Sequence, residues 1–230
     1  MILQTFKRSL PQMILIVFPS SWSAINSSMT SLDPTGLASP RYHLFHLRRL
    51  DSEGSMDEVK TWAHASSDPK QGGHCIGIFS GVLGLANTDC FVLRSTPVDM
   101  TEGAEPPDGF ELIRHHVFHA TIRPTDSRAF DRPGVYVFRF WSLAGENVDE
   151  VVDLSRHAWL SFETDFATEV KALFRQSTPE STETALLITW YQNLTVWEQS
   201  RMPSEAAKAH FQTRTALIER ALPIATRLVI

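Results

Sequence analysis

The feature that most limits the fold is a doubled order of elements. From Pro40 onward, hydropathy and turn signals read strand, helix, strand, strand, a variable piece and a strand. The same order returns after the loop "RPTDSRAFDRPG". In the first copy "RYHLFHLRRL" (41–50) has strand composition. "SMDEVKTWAHAS" (55–66) starts on Ser55 as a cap, carries Asp57 and Glu58 in its first turn, and is apolar at 56, 59, 62 and 63, which predicts a short amphipathic helix. "HCIGIFSGVLGL" and "DCFVLRST" are apolar runs joined by "ANT", a hairpin signal, and "RHHVFHATIR" (114–123) is the fourth strand. The second copy has a strand at "VYVFRFWSL" (135–143) and a helix at 147–163 with Asn147 as its cap. "VKALFRQST" and "TALLITWYQN" are strands parted by "PESTE", followed by a helical region from Leu194 to about Ala221 that breaks at Pro203 and Ser204, and by a last strand "ATRLVI".

The two copies align. "LFHLRRL" (44–50) lies on "VFRFWSL" (137–143), "MDEV" (56–59) on "VDEV" (148–151), and "CFVLRST" (90–96) on "ALLITWY" (185–191). The βαββαβ order is that of the ferredoxin-like split βαβ unit. The first copy is degenerate, because "VDMTEGAEPPD" between Pro97 and Gly109 is too short and Pro-rich for a full second helix. One such sheet has helices on one face only, so its other face needs a cover. Two sheets face to face, or joined into a barrel, supply it. The expected fold is therefore α+β, with two tandem ferredoxin-like βαββαβ repeats forming a pseudo-dimeric α/β barrel. The expected divisions are an N-terminal disordered extension (1–38), the degenerate repeat (39–126) and the second repeat (127–230).

Composition narrows the setting. A hydrophobic fraction of 43% with 20% charged residues is that of a soluble globular protein, and a net charge of −5 argues against nucleic acid or an anionic membrane as partner. Cys75 and Cys90 form no CxxC and no zinc spacing, so they read as two small buried hydrophobes. Nothing demands an oxidising compartment, and a cytoplasmic location is expected. The first 32 residues hold no acid, seven serines and one short apolar run, "MILIVF", that cannot span a bilayer. They read as a disordered extension with Met29 as an alternative start, and only weakly as a targeting peptide.

Two stretches of the second half carry a resemblance: "GVYVFRFWSLAGENVDEVVDLSRHAW" (134–159) and "LITWYQNLTVWEQSRMPSEAAKAHFQTRTALI" (187–218). An opening strand rich in Tyr, Arg and aromatics leads to a helix. Trp190, Asn193, Leu194, Trp197, Pro203 and Phe211 then follow in the order of an aromatic strand, a short helix, a Pro break and a helix with an aromatic residue. In this the chain resembles the NIPSNAP proteins of the dimeric α/β-barrel (ferredoxin-like) superfamily, over about 100 residues well and over the first half loosely. That superfamily spans haem-degrading and quinone-forming monooxygenases, polyketide cyclases, lactone isomerases and proteins without known activity. The resemblance thus implies a fold and transfers no catalytic residues. It brings haem as the one cofactor to consider; the residues themselves call for none.

Strand alternation sorts the candidate chemistry. In "RHHVFHATIR", His115, Val117, His119, Thr121 and Arg123 share one face, and His116, Phe118, Ala120 and Ile122 the other. The apolar set is expected under the helices and the polar set between the sheets. His115 and His119 lie about 13 Å apart along a strand, so they cannot share a metal, and no metal site is predicted. They are the candidate acid–base residues, because an imidazole titrates near pH 7; the plainer alternative is polar lining with no catalytic task. His46 on the first strand is the natural addition. Arg139 and Trp141, aligned with His46 and Arg48, are expected on the inner face, with Tyr136, Phe138 and Phe140 as the helix-facing core. An inner arginine suits an anionic or carbonyl-bearing ligand, or else a salt bridge across the interface. Trp190 and Trp197 offer aromatic pocket walls or ordinary packing. The ligand-binding candidates are thus His46, Arg139, Trp141 and Trp190, while His157, beside Leu154 and Leu160, reads as a partly buried structural histidine.

The leading functional expectation is a protein of unassigned activity that binds a small, partly apolar ligand between the sheets and self-associates. One alternative is a small-molecule monooxygenase, cyclase or isomerase. Another is a non-enzymatic oligomeric scaffold. The residues leave open whether the chain is an enzyme.

Overall fold

The computed structural model describes residues 40–50, 54–65, 73–96, 105–202 and 205–229. The expected N-terminal extension lies outside them. Eight strands, β1 (Arg41–Arg49), β2 (His74–Leu83), β3 (Asp89–Thr96), β4 (Phe110–Ala120), β5 (Val135–Ala144), β6 (Thr168–Gln176), β7 (Thr182–Tyr191) and β8 (Arg220–Leu228), close into one antiparallel barrel in the order β1-β3-β2-β8-β5-β7-β6-β4. Each half runs 4-1-3-2 in its own strand numbering, the ferredoxin-like order. The seams are β2 against β8 and a short β4–β6 pairing of Phe118–Ala120 with Phe174–Gln176. Closure leaves no sheet edge to protect.

Four helices cover the outside: α1 (Met56–Ala65), α2 (Val148–Asp165), α3 (Leu194–Gln199) and α4 (Glu205–Ala216). α1 starts in a capping box, in which the Glu58 N–H donates to Ser55 Oγ at 3.3 Å and the Ser55 N–H donates to Glu58 Oε2 at 2.6 Å. Val59 and Ala63 of α1 are buried on Phe45, Leu47, Ile78 and Val92, with the free Cys75 and Cys90 in the same cluster. Asn147 precedes α2 but its side chain makes no capping bond; the chain enters α2 through a 3-10 turn at Gly145–Asn147 instead. Asn193 does cap α3, accepting from the Val196 N–H at 3.0 Å. The last strand begins five residues before the expected 225, because the Glu219 N–H is already bonded to Ser142 O and Arg220 to Leu222 pair with β5. Among the described residues no helix is long and apolar enough to cross a membrane.

The expected faces of β4 and β5 are inverted. The barrel interior is the aromatic set: Tyr42, Phe79, Phe91, Phe118, Tyr136, Phe138 and Phe174 form one buried cluster, with Phe140 packed against it. Phe138 sits 4.9 Å from Phe79 and 5.2 Å from Phe91 between ring centroids. Tyr136, Phe138 and Phe140 therefore point inward, and Arg139 and Trp141 point toward α2 and α4. On β4, His116, Phe118 and Ala120 face inward, whereas His115 stacks on Phe45 beside α1 and Arg123 pairs with Glu163 of α2. Two causes combine. A closed eight-stranded barrel excludes water from its interior, so the interior takes the more apolar residues. The alignment of "LFHLRRL" with "VFRFWSL" is also off by one: Tyr42 and Leu44 share their environment with Tyr136 and Phe138. A slip of one residue exchanges the faces of a whole strand.

Candidate functional site

Beside the aromatic cluster of the barrel interior, a cavity of about 610 Å³ opens. Its walls are Leu44, Phe91, Phe140 and Ile224, and its polar groups are His46, Asp89 and His116, with Arg48, Arg114 and Arg220 at the rim. β1 and β3 set the polar floor. Their register places Arg48 opposite Asp89, and His46 opposite Phe91 two residues further along. Asp89 is therefore within reach of both basic side chains. Its buried carboxylate accepts from Arg48 Nε at 3.0 Å and Nη2 at 3.1 Å, from His46 Nε2 at 2.8 Å and from Thr88 Oγ1 at 2.9 Å. Burial pushes the Asp89 carboxyl up, but the hydrogen bonds from Arg48, His46 and Thr88 outweigh it and hold the group below the usual carboxylate range. An ionised Asp89 fixes His46 with its proton on Nε2, which leaves Nδ1 as the basic nitrogen of the ring.

His116 enters from β4, opposite Leu44. It stacks on Phe118 at 5.4 Å and leans on Phe140 at 5.6 Å. Burial, then the charges of Arg114, His115 and His46, press it down to about 4, so the imidazole is neutral at pH 7. It has no hydrogen-bond partner among the described residues and is free to donate to a ligand or accept from one. The cavity thus holds one imidazole fixed by a carboxylate and one uncommitted imidazole between apolar walls. Among the described residues no three metal-binding side chains come together.

The other candidates lie elsewhere. His115 stacks on Phe45 at 4.4 Å and meets His43, Nε2 to Nδ1, at 3.0 Å, away from the barrel mouth. His119 pairs in register with Arg175 on the outer face of β4; burial, Arg41 and Arg175 lower its pKa. Trp190 belongs to the barrel interior, with its Nε1–H donating to Pro133 O at 3.0 Å and the Arg132 guanidinium 3.6 Å over its ring. Trp141 packs with Val148 and Trp159 under α2 and only borders the barrel mouth. Arg139 lies in a second cavity of about 290 Å³ between the outer face of β5–β7 and the helices. His157 is exposed, its Nδ1 against Asp153 O at 2.9 Å, and its neighbour Leu160 is 75% exposed, so the expected structural burial does not occur. His46 alone of the expected residues is a central part of the barrel-mouth site. His116, expected under the helices, lines the cavity instead, and Asp89 and Arg48 are not among the expected site residues. A strand-initial aspartate directly after "ANT", two strands away from "HLRR", was the one available signal.

No family model matches the chain, and no curated protein matches it. Solved structures do. An anthrone oxidase-like protein superposes with a TM-score of 0.57 at 12% identity, covering 83% of this chain and 92% of its own. A proposed monooxygenase from Fusobacterium nucleatum gives 0.53 at 8% identity, over 84% of this chain and 93% of its own. A heme-binding protein from Thermus thermophilus gives 0.51 at 10% identity, over 83% and 91%. At these identities the likeness is one of fold: an α+β barrel closed from two ferredoxin-like sheets.

Proposed function

We propose that the protein binds a small, flat, partly apolar molecule in the mouth of the barrel, between its two ferredoxin-like sheets. The observation that carries this is the 610 Å³ cavity itself, walled in part by Phe91 and Phe140 and fitted with His46–Asp89 and His116. Its size and its mix of apolar walls with few polar groups are those of small-molecule sites. A scaffold has no use for a fixed imidazole in such a space. Kinship with the NIPSNAP proteins, suggested by residues 134–159 and 187–218, is part of this proposal.

A second reading, proton transfer in an oxygenase-, cyclase- or isomerase-type reaction, draws on the His46–Asp89 pair. A buried carboxylate on one imidazole nitrogen orients the ring and stabilises the imidazolium formed when the other takes a proton. Neighbours of this fold include an anthrone oxidase-like protein and a heme-binding protein. For haem, His116 is the one imidazole in the cavity not committed to a carboxylate and would be the residue to hold the group.

The test uses 2-naphthol, a flat apolar probe with one weakly acidic hydroxyl. Calorimetry should show binding by the wild type and at least about tenfold weaker binding by His116→Phe and His46→Phe, the loss expected for one good polar contact. Equal binding by both folded variants would remove the barrel mouth from the function. A haem titration that gives a Soret band, lost in His116→Phe, would move the reading to a haem protein.

A further inference from the structure

The second cavity has a different chemistry. It lies between the outer face of β5–β7 and helices α2 and α4, and three arginines line it: Arg139 from β5, Arg214 from α4 and the exposed Arg201 just after α3. Arg139 donates from Nη1 to Thr189 Oγ1 at 3.3 Å and from Nη2 to Tyr191 OH at 2.9 Å. Arg214 lies 4.8 Å over the rings of both Trp141 and Phe211 and reaches Ser155 Oγ at 3.3 Å. Neither guanidinium has a carboxylate partner among the described residues. Others on the same half do: Arg123 meets Glu163, Arg132 meets Glu169 and Arg175 meets Glu183.

Arg139 and Arg214 are donors without a carboxylate to serve, whereas the Ser200 and Thr215 hydroxyls in the same lining donate to the Trp197 and Phe211 carbonyls. Arg214 Nε is shut off from solvent and has no hydrogen-bond partner. Thr189 and Tyr191 spend their oxygens accepting from Arg139, which leaves both hydroxyl protons available to an acceptor. Burial, and then the Arg139 charge, press Arg214 down to about 10, so Arg214 stays protonated at pH 7 against the repulsion of Arg139. Two half-buried like charges that share a cavity without a carboxylate between them are costly, and a cation withdrawn from water is ordinarily paired. The apolar part of the lining is Trp159, Phe162, Leu187 and Phe211.

We infer that this helix–sheet cavity is a second ligand site, separate from the barrel mouth, and that it holds one small organic carboxylate, its head between Arg139 and Arg214 and its apolar tail against Trp159 and Phe162. A guanidinium pair suits a carboxylate because each can offer parallel N–H donors to its two oxygens. At about 30 Å³ for each water-sized atom, 290 Å³ admits roughly ten non-hydrogen atoms, the size of octanoate or a substituted benzoate.

The test is calorimetric titration of the full chain with octanoate, with octan-1-ol as the uncharged counterpart and sodium chloride as the bare anion. Octanoate should bind at one site and octan-1-ol should not. Arg139→Met and Arg214→Met should each weaken octanoate by about tenfold or more, while leaving 2-naphthol binding unchanged. Retained naphthol affinity shows that the variants fold, and failure of the barrel-mouth proposal is visible separately as loss of naphthol binding in the wild type; circular dichroism then reports folding. Octanoate bound equally by wild type and both variants, octan-1-ol bound as tightly as octanoate, or saturation by chloride alone would each overturn the assignment.

Discussion

If Arg139 and Arg214 await an anion, the ligand-free protein should tolerate the loss of Arg214, an unusual outcome for a largely buried side chain with two aromatic contacts. Consider Arg214→Met, which keeps most of the apolar stem and removes the charge. The lowering of Arg214 to about 10 corresponds to about 3 kcal/mol of cost for the charged form, and to nearer 2 kcal/mol once its partial solvent access is allowed for. Against this stand two cation–π contacts at about 0.5–1 kcal/mol each. The long hydrogen bond to Ser155 adds about 0.5 kcal/mol. The terms nearly cancel, so the variant should unfold within about 1 kcal/mol of wild type. Arg123→Met is the control. Arg123 binds both oxygens of Glu163 at 2.5 and 3.1 Å and also Val170 O at 2.9 Å, so its removal leaves a half-buried carboxylate with the Val170 N–H as its remaining donor and should cost about 2–4 kcal/mol. Urea unfolding at pH 7 without added anion, compared at constant slope, reads both. Saturating octanoate should then widen the gap between wild type and Arg214→Met, since only the wild type gains from binding. A loss above about 2 kcal/mol for Arg214→Met, equal to that of Arg123→Met, would show that Arg214 is already well satisfied and would refute the reasoning.

Other outcomes follow from the same contacts. Asp89→Asn keeps the shape of the barrel-mouth floor but weakens its bonds to Arg48 and His46, and should cost about 1–2 kcal/mol in urea. Because the folded pKa of Asp89 lies below its unfolded value, its contribution is present above about pH 4 and is lost as pH falls through the folded pKa; the variant should lack that part of the acid limb. His43 and His116 both sit at about 4 against 6.5 unfolded, so the unfolded chain binds more protons between these values. Stability is then full above pH 6.5 and declines toward pH 4, by about 1–2 kcal/mol for each residue after allowance for solvent access, and His116→Phe should flatten a thermal-melt series across that window. Phe138→Ala, at the barrel centre, should cost about 3–5 kcal/mol; a loss under about 2 kcal/mol would mean a loosely packed interior.

The elements were legible in the sequence because their signals are local. Ser55 and Glu58 announce α1, "ANT" announces the β2–β3 turn, and the apolar runs mark the strands. Strand alternation was legible too: His116 and Phe118 do lie opposite His115 and His119. What was not legible is which alternate set faces the helices. Hydropathy indicates the more apolar face, and in an open sheet that face seeks the helices. In a closed barrel both faces are covered, and the interior is the drier one. The helix side is covered by separate helices with gaps between them, and long polar residues fit there. Arg123 lies 5.2 Å over Trp159, and Arg139 and Arg214 share a cavity. The barrel-mouth site was hidden for another reason. His46, Asp89 and His116 sit on three strands, and only the pairing of β1 with both β3 and β4 brings them together.

One strand serves both cavities. Phe140 lines the barrel mouth, and Arg139, next to it in sequence, lines the helix–sheet cavity. The two sites are separated by the thickness of a single sheet, and the question is whether they are coupled. A ligand couples two sites only through an element with two arrangements that both ligands bias. β5 is poorly placed to be such an element. It is paired along its length with β7, from Val135 opposite Tyr191 to Ala144 opposite Thr182, and with β8 from Tyr136 to Ser142, so a shift would break ladders on both sides. Octanoate and 2-naphthol should therefore bind independently, each with an affinity changed less than about twofold by saturation with the other, well under the roughly fivefold that marks ordinary allosteric coupling. The affinities measured in both orders must agree, because binding linkage is reciprocal. A reciprocal change of about fivefold or more would show that β5 moves as a unit, and a motion of α4 that carries Arg214 without β5 would leave the barrel mouth untouched.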